Sequence, residues 1–217
     1  YQAAARQWTK EKTPYNWAAL QNNLGNALGD LGKIGKDPKS YAAAVDAFEA
    51  ALTVSTEVQV PLQWAAIQNN IGVMYFDLGR TQKGDAALET LQKSDDAYKL
   101  CLTARTQDND PRDWALTQYN LGLVFTELGT RSKSADDWNS ATLAFNAALE
   151  VYTQDDAAAD WADSQEGLGW ALANYGALQK DRDLIGQGRE AMQNAADYYQ
   201  DQEGAADYYQ GKLDQID

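Results

Sequence analysis

The chain contains no histidine, and so lacks the commonest general base and the commonest metal ligand. Its one cysteine, Cys101, permits no internal disulfide and leaves the redox compartment open. Long apolar runs are missing too. With a mean hydropathy of −0.58, no segment reads as a transmembrane helix. Positive charge is scarce: 18 Lys and Arg stand against 32 Asp and Glu, a net charge of −14. The phosphates of a nucleic acid would therefore meet no basic surface. An acidic exterior suits solubility and basic partners. There is no Gly-rich phosphate loop, no Cys/His cluster and no serine in a nucleophile setting. Asp108-Asn109-Asp110 with Asp113 has a passing likeness to a calcium loop, but lacks its glycine and closing glutamate. These absences lead us to expect no catalytic residue, no metal and no cofactor.

What the chain does have is repetition. Trp17-Ala18-Ala19-Leu20-Gln21-Asn22-Asn23-Leu24-Gly25 returns as Trp64-Ala65-Ala66-Ile67-Gln68-Asn69-Asn70-Ile71-Gly72. Further copies begin at Trp114 and, more divergent, at Trp161, so the tryptophans at 17, 64, 114 and 161 are spaced by 47, 50 and 47 residues. A fixed period of this size is the mark of stacked supersecondary units. The repeats run 14–60, 61–110, 111–157 and 158–203, with a capping helix over 204–217, the whole chain forming one array. Tyr1 aligns with Phe48, in the middle of a second helix, so residues 1–13 read as the end of a truncated preceding repeat. A longer parent array is the expectation.

The first helix of each repeat, helix A, opens at Pro14, Pro61 and Pro111, where a missing N–H costs nothing. The fourth copy has Ala158 there. Thr13 and Asp110 are the expected N-caps. Trp17, Leu20, Leu24, Leu28 and Leu31 fall at the spacing of one helical face. Gly32, Gly79, Gly129 and Gly176 follow the last apolar residue and read as left-handed C-caps, giving helices of about 18 residues. Gly25, Gly72, Gly122 and Gly169 lie within helix A and imply a close backbone neighbour, helix B. Polar connectors follow, Lys33 to Ser40 in the first copy, and the extra residues of the 50-residue repeat fall in the connector or early in helix B. Helix B alternates small residues with a bulky anchor at Phe48, Tyr98, Phe145 and Met192. Cys101 aligns with Ala51 and Ala148, and reads as a small packing residue.

The Leu-Gly pair followed three residues on by a large residue recurs four times, from Leu24-Gly25 to Leu28 through Leu168-Gly169 to Leu172. A small residue precedes an aromatic by four in Ala44…Phe48, Ser94…Tyr98 and Ala141…Phe145. In these features the repeats resemble tetratricopeptide repeats. They depart from the family's 34-residue unit in length, and place Gln21, Gln68, Gln118 and Gln165 where the family has tryptophan. The Asn-Leu-Gly wording looks more like the extended repeats of kinesin light chains. The resemblance implies an all-α fold, a right-handed solenoid of antiparallel helix hairpins, with helix A on the concave face.

On a helical wheel with Trp17 at zero, Asn23 falls at about 240°, Asp30 at about 220° and Asn16 at about 260°, forming one polar strip beside the apolar stripe. Repetition makes a ladder of Asn23, Asn70 and Asn120, and a second of Asp30, Asp77 and Glu127. An asparagine amide both donates and accepts, and so pairs with the backbone of an extended peptide of any sequence. The resemblance implies that role for the Asn ladder; position 167 is glycine and breaks it. The alternative is that each amide pairs with a helix of the adjacent repeat. The acidic ladder selects basic segments, or is neutralised by Lys33, Arg80 and Arg131. The glutamines read as inter-repeat hydrogen-bonding groups and the repeated tryptophans as core anchors. The expected function is a scaffold that binds an extended protein or peptide segment, a basic one where the acidic ladder selects it, with no nucleic acid and no membrane span. Self-association, or a sensor segment of a larger protein, are the other readings.

Overall fold

In the computed structural model, which describes residues 8–216, prolines open three of the four first helices at their first position. These helices are α1 (Pro14–Gly35), α3 (Pro61–Thr81), α5 (Pro111–Ser132) and α7 (Ala158–Gln179). Each is followed by a second helix: α2 (Pro38–Leu52), α4 (Gly84–Ala104), α6 (Ala135–Leu149) and α8 (Arg182–Tyr199). A short helix, α9 (Ala205–Leu213), ends the series. The fold is all-α, and each hairpin packs onto the next within a compact unit, as in an α-solenoid. The chain forms two such units, Tyr1–Thr106 and Gln107–Asp217. The expected truncated repeat at residues 1–13 lies largely outside the described residues; residues 10–12 form a turn.

Helix B buries residues at the spacing of one stripe. In α2 these are Tyr41, Ala44, Val45, Phe48 and Ala51. The four anchors Phe48, Tyr98, Phe145 and Met192 are at most 1% exposed. Small neighbours let helix A come close: Ser94 Oγ donates to the Gly72 carbonyl at 2.7 Å, across the α3–α4 seam. Cys101 is fully buried at the position of Ala51 and Ala148, as its alignment suggests. The extra residues of the second repeat lie early in helix B, since α4 is 21 residues long where α2 and α6 are 15.

The glycines expected to cap helix A do not. Gly32, Gly79, Gly129 and Gly176 are inside the helices, which run on for three or more residues in α1, α5 and α7. A Cβ at Gly32 would stand 2.7 Å from the Tyr41 ring, and one at Gly129 2.8 Å from Trp138. The absent side chain makes room for the start of helix B. The left-handed residues are lysines, Lys36 (φ 47°), Lys133 (φ 60°) and Lys180 (φ 56°). A left-handed non-glycine costs about 1 kcal/mol. A cation beyond the helix C-terminus partly offsets that through the macrodipole. Lys83 holds the same repeat position in extended backbone, and Gly84 (φ 62°) turns the chain instead.

The connectors are accordingly two residues long, not the longer polar segments expected. Thr13 and Asp110 precede their helices but make no side-chain cap. Capping belongs to helix B: Asp37 accepts from Lys39 and Ser40, Ser134 from Asp137, and Asp181 from Asp183 and Leu184. The repeated tryptophans are half-buried flankers, while the alanine after each is at most 1% exposed. In α1 the apolar stripe is only partly covered. Leu24 is 41% and Leu31 58% exposed, whereas Ile71, Leu121 and Leu168 at Leu24's position are buried.

Candidate functional site

Within each unit the A helices touch one another, α1 with α3 and α5 with α7, so their common face forms a surface between repeats. The two-residue A–B connectors set this spacing, and the glycine seams draw helix B to the other side.

In the first unit, Asn16 and Asn23 are exposed on α1, and Asn23 makes no side-chain hydrogen bond among the described residues. Asn70 Nδ2 donates to Asn26 Oδ1 at 3.3 Å, tying α3 to α1. For Asn70, then, the pairing is with the neighbouring repeat. Asn120, in the second unit, is half-buried and makes no side-chain hydrogen bond among the described residues. The acidic ladder divides in the same way. Asp30 is exposed. Glu127 Oε1 accepts from Arg131 Nε at 2.6 Å. Asp77 lines a pocket of about 390 Å³ with Lys33, Lys36, Tyr41, Arg80 and Thr81. Burial raises its carboxyl above the ordinary range, against the pull of Lys33 and Arg80. Its Oδ2 is buried without a hydrogen-bond partner. Gln68, expected to bond between repeats, is buried but makes no side-chain hydrogen bond among the described residues.

Sequence reasoning missed Asn22 and Asn69. Each lies one position before the chosen ladder, and each has an Oδ1 that is buried and unpartnered. On the wheel they fall at about 140°, outside the strip read beside the tryptophan stripe. The stripe drawn through the bulkiest residues was too narrow. Ala18, Gly25, Gly29 and Gly32 are buried as well, and they shift the buried arc toward Asn22.

In the second unit the A-helix face is a groove of about 340 Å³. Tyr119, Thr126 and Glu127 from α5 face Glu166 and Trp170 from α7 across it, and Phe145 of α6 also lines it. Tyr119 meets the Phe145 ring edge-on, with centroids 5.7 Å apart. The Thr126 Oγ1 is buried with no partner. At the far edge α9 returns. Tyr208 and Tyr209 donate their hydroxyls to the two oxygens of Glu166, and Tyr199 donates to Asp163 Oδ1 at 2.6 Å. The Lys212 ammonium stands 4.6 Å from the Trp170 ring centroid.

The tyrosines make this unit sensitive to alkali. Burial, then the neighbouring carboxylates, push Tyr119 and Tyr152 up to about 12. Tyr199, Tyr208 and Tyr209 are raised further by burial and by their bonds to Asp163 and Glu166. An unfolded tyrosine ionises near 10, so above that pH the unfolded chain releases protons that the folded chain retains. The stabilisation is complete below about pH 10 and fades as pH rises toward the folded values. Thermal melts of the whole chain should hold steady to about pH 10 and then fall, in step with phenolate absorbance. A melting temperature unchanged at about pH 11.5 would contradict this reading.

Among the described residues no helix is long and apolar enough to cross a membrane, and no group of three or more His, Cys, Asp or Glu could hold a metal ion. Compared with known proteins, the chain matches no protein-family model and no curated protein.

Proposed function

We propose that the chain is a protein-interaction scaffold whose A-helix faces bind an extended segment of a partner protein. The observation that carries this reading is the set of buried, unpartnered polar atoms on those faces: Asn22 Oδ1, Asn69 Oδ1 and Asp77 Oδ2 in one unit, Thr126 Oγ1 in the other. An unpaired buried polar group costs about 1–3 kcal/mol. An extended peptide carries a donor and an acceptor on nearly every residue, and so supplies what these atoms lack. The resemblance to tetratricopeptide repeats points the same way. The site differs from the ladder chosen by wheel position: Asn22 and Asn69 are its acceptors, Asn23 its exposed rim.

The test is site-specific photocrosslinking of the full chain in its source cell. A photoreactive residue replaces Asn23 or Thr130 on the A-helix faces, or Leu100 or Leu143, exposed positions on helix B. Partner peptides should crosslink from Asn23 or Thr130 and not from the helix B sites. Crosslinks from helix B alone would sink the proposal. Self-association is a second reading, favoured by the exposed Leu24, Leu31 and Ile34 of α1. It requires crosslinks between copies of the chain and a mass by light scattering that rises with concentration.

A further inference from the structure

We infer that the groove of the second unit is a recognition subsite for a cationic side chain, a guanidinium or alkylammonium group carried by the bound segment, with Lys212 as its built-in stand-in. The inference rests on the binding role proposed above and names the chemistry that one groove selects.

The groove is aromatic as well as acidic. Tyr119, Phe145 and Trp170 line it, along with the carboxylates of Glu127, Asp163 and Glu166. Gly167 opens it inward, since a Cβ there would overlap the Phe145 ring. This is the position where the first three repeats carry Asn23, Asn70 and Asn120, so the substitution that breaks the asparagine ladder also makes room for the buried ring in the groove wall. Rings present their negative faces to cations, and a desolvated cation gains most.

The molecule already places a cation there. Lys212 Nζ lies over Trp170 at 4.6 Å and over Tyr208 at 5.5 Å. It makes no ion pair with a described carboxylate, so rings alone hold it. Three tyrosine hydroxyls fix the carboxylates of Asp163 and Glu166 beside it. Glu127 is engaged by Arg131. Lys212 extends from a nine-residue helix on a flexible stem, so another cation can replace it without moving α5 or α7. The unpartnered Thr126 hydroxyl, in the same wall, is then free to bond the incoming group or its backbone.

The probe is a fluorescein-labelled hexa-arginine peptide, with hexaglutamate as control, titrated by anisotropy into the full chain at about 0.15 M salt, where long-range charge effects are screened. Lys212→Met frees the groove and removes one positive charge. Lys180→Met removes the same charge at a connector outside the groove. Binding of hexa-arginine should tighten about fivefold in Lys212→Met and change little in Lys180→Met. Trp170→Leu, with folding checked by circular dichroism, should weaken it about tenfold. If Lys212→Met and Lys180→Met behave alike, the peptide senses only net charge and the subsite is refuted, whether or not Trp170→Leu folds. An unchanged affinity in folded Trp170→Leu refutes it as well. Partner crosslinks from Asn23 or Thr130 alongside such a result would leave the scaffold reading standing and remove only the cation subsite.

Discussion

Cutting Phe145 back to alanine is expected to destabilise the chain by roughly 4–5 kcal/mol, at the upper end of the range for a buried aromatic. The cost of a cavity depends on how far its walls can collapse, and here they can collapse little. The ring is fully buried between two glycines: a Cβ at Gly122 would stand 2.6 Å from it, and one at Gly167 would overlap it. No side chain at either glycine can swing into the space. Closing it requires α5 or α7 to move as a body. Phe48 is equally buried, but it faces only one such glycine, Gly25, and the position matching Gly167 is Asn70. Phe48→Ala should therefore cost less than Phe145→Ala. Urea unfolding of the whole chain, followed by circular dichroism, gives both values. A smaller loss for Phe145→Ala than for Phe48→Ala would show that the glycine walls do not govern the cost.

Gly169→Ala should destabilise by about 3 kcal/mol, while Gly186→Ala, on the facing helix that carries Met192, should stabilise by up to about 1 kcal/mol. Where α7 crosses α8, backbone meets backbone. A Cβ at Gly169 would stand 2.7 Å from the Gly188 carbonyl oxygen and 2.8 Å from the Met192 nitrogen. A Cβ at Gly188 would stand 2.7 Å from the Gly169 oxygen. Neither neighbour is a side chain that can turn aside. In the other three repeats the matching glycine faces the ring of Phe48, Tyr98 or Phe145, and a ring can tilt. The fourth repeat has Met192 as its anchor, and without a flat ring between them the helices close until their main chains touch. Gly186 has nothing within 4 Å of its would-be Cβ, so alanine there brings only helix propensity. The two variants should shift the melting temperature in opposite directions, the first by roughly 10 °C downward. A Gly169→Ala protein as stable as the parent would mean that the helices part at little cost.

The role of the glycines marks the boundary between what is local and what is not. Period, helix count and the proline starts are properties of short stretches, and the sequence alone determined them: Trp17, Trp64, Trp114 and Trp161 mark the four hairpins, and Pro14, Pro61 and Pro111 open three of them. The anchors Phe48, Tyr98, Phe145 and Met192 were legible for the same reason, since a stripe on one helix needs no knowledge of its partner. A glycine near a helix end, however, has two uses. It can adopt a left-handed backbone, or it can omit a side chain where another helix passes. Its sequence context at Gly32 and Gly129 suits both, and only the placement of Tyr41 and Trp138 selects the second. The left-handed turns then fell to Lys36, Lys133 and Lys180.

The candidate site was legible only as a face. Asparagines on helix A were visible at once, yet which amide lies at the seam between repeats depends on how far each helix is rotated against its neighbour. That rotation is set by the glycine and alanine contacts, which a wheel centred on tryptophan weights too lightly; hence Asn22 and Asn69, rather than Asn23 and Asn70, hold the unpartnered oxygens. The groove of the second unit was less visible still. It joins residues 119, 145, 170 and 212, brought together by three helix crossings and the return of α9. Sequence determined the repeated element, because backbone hydrogen bonding and side-chain periodicity are local. The tertiary structure decided the site, because it depends on contacts between residues far apart in the chain.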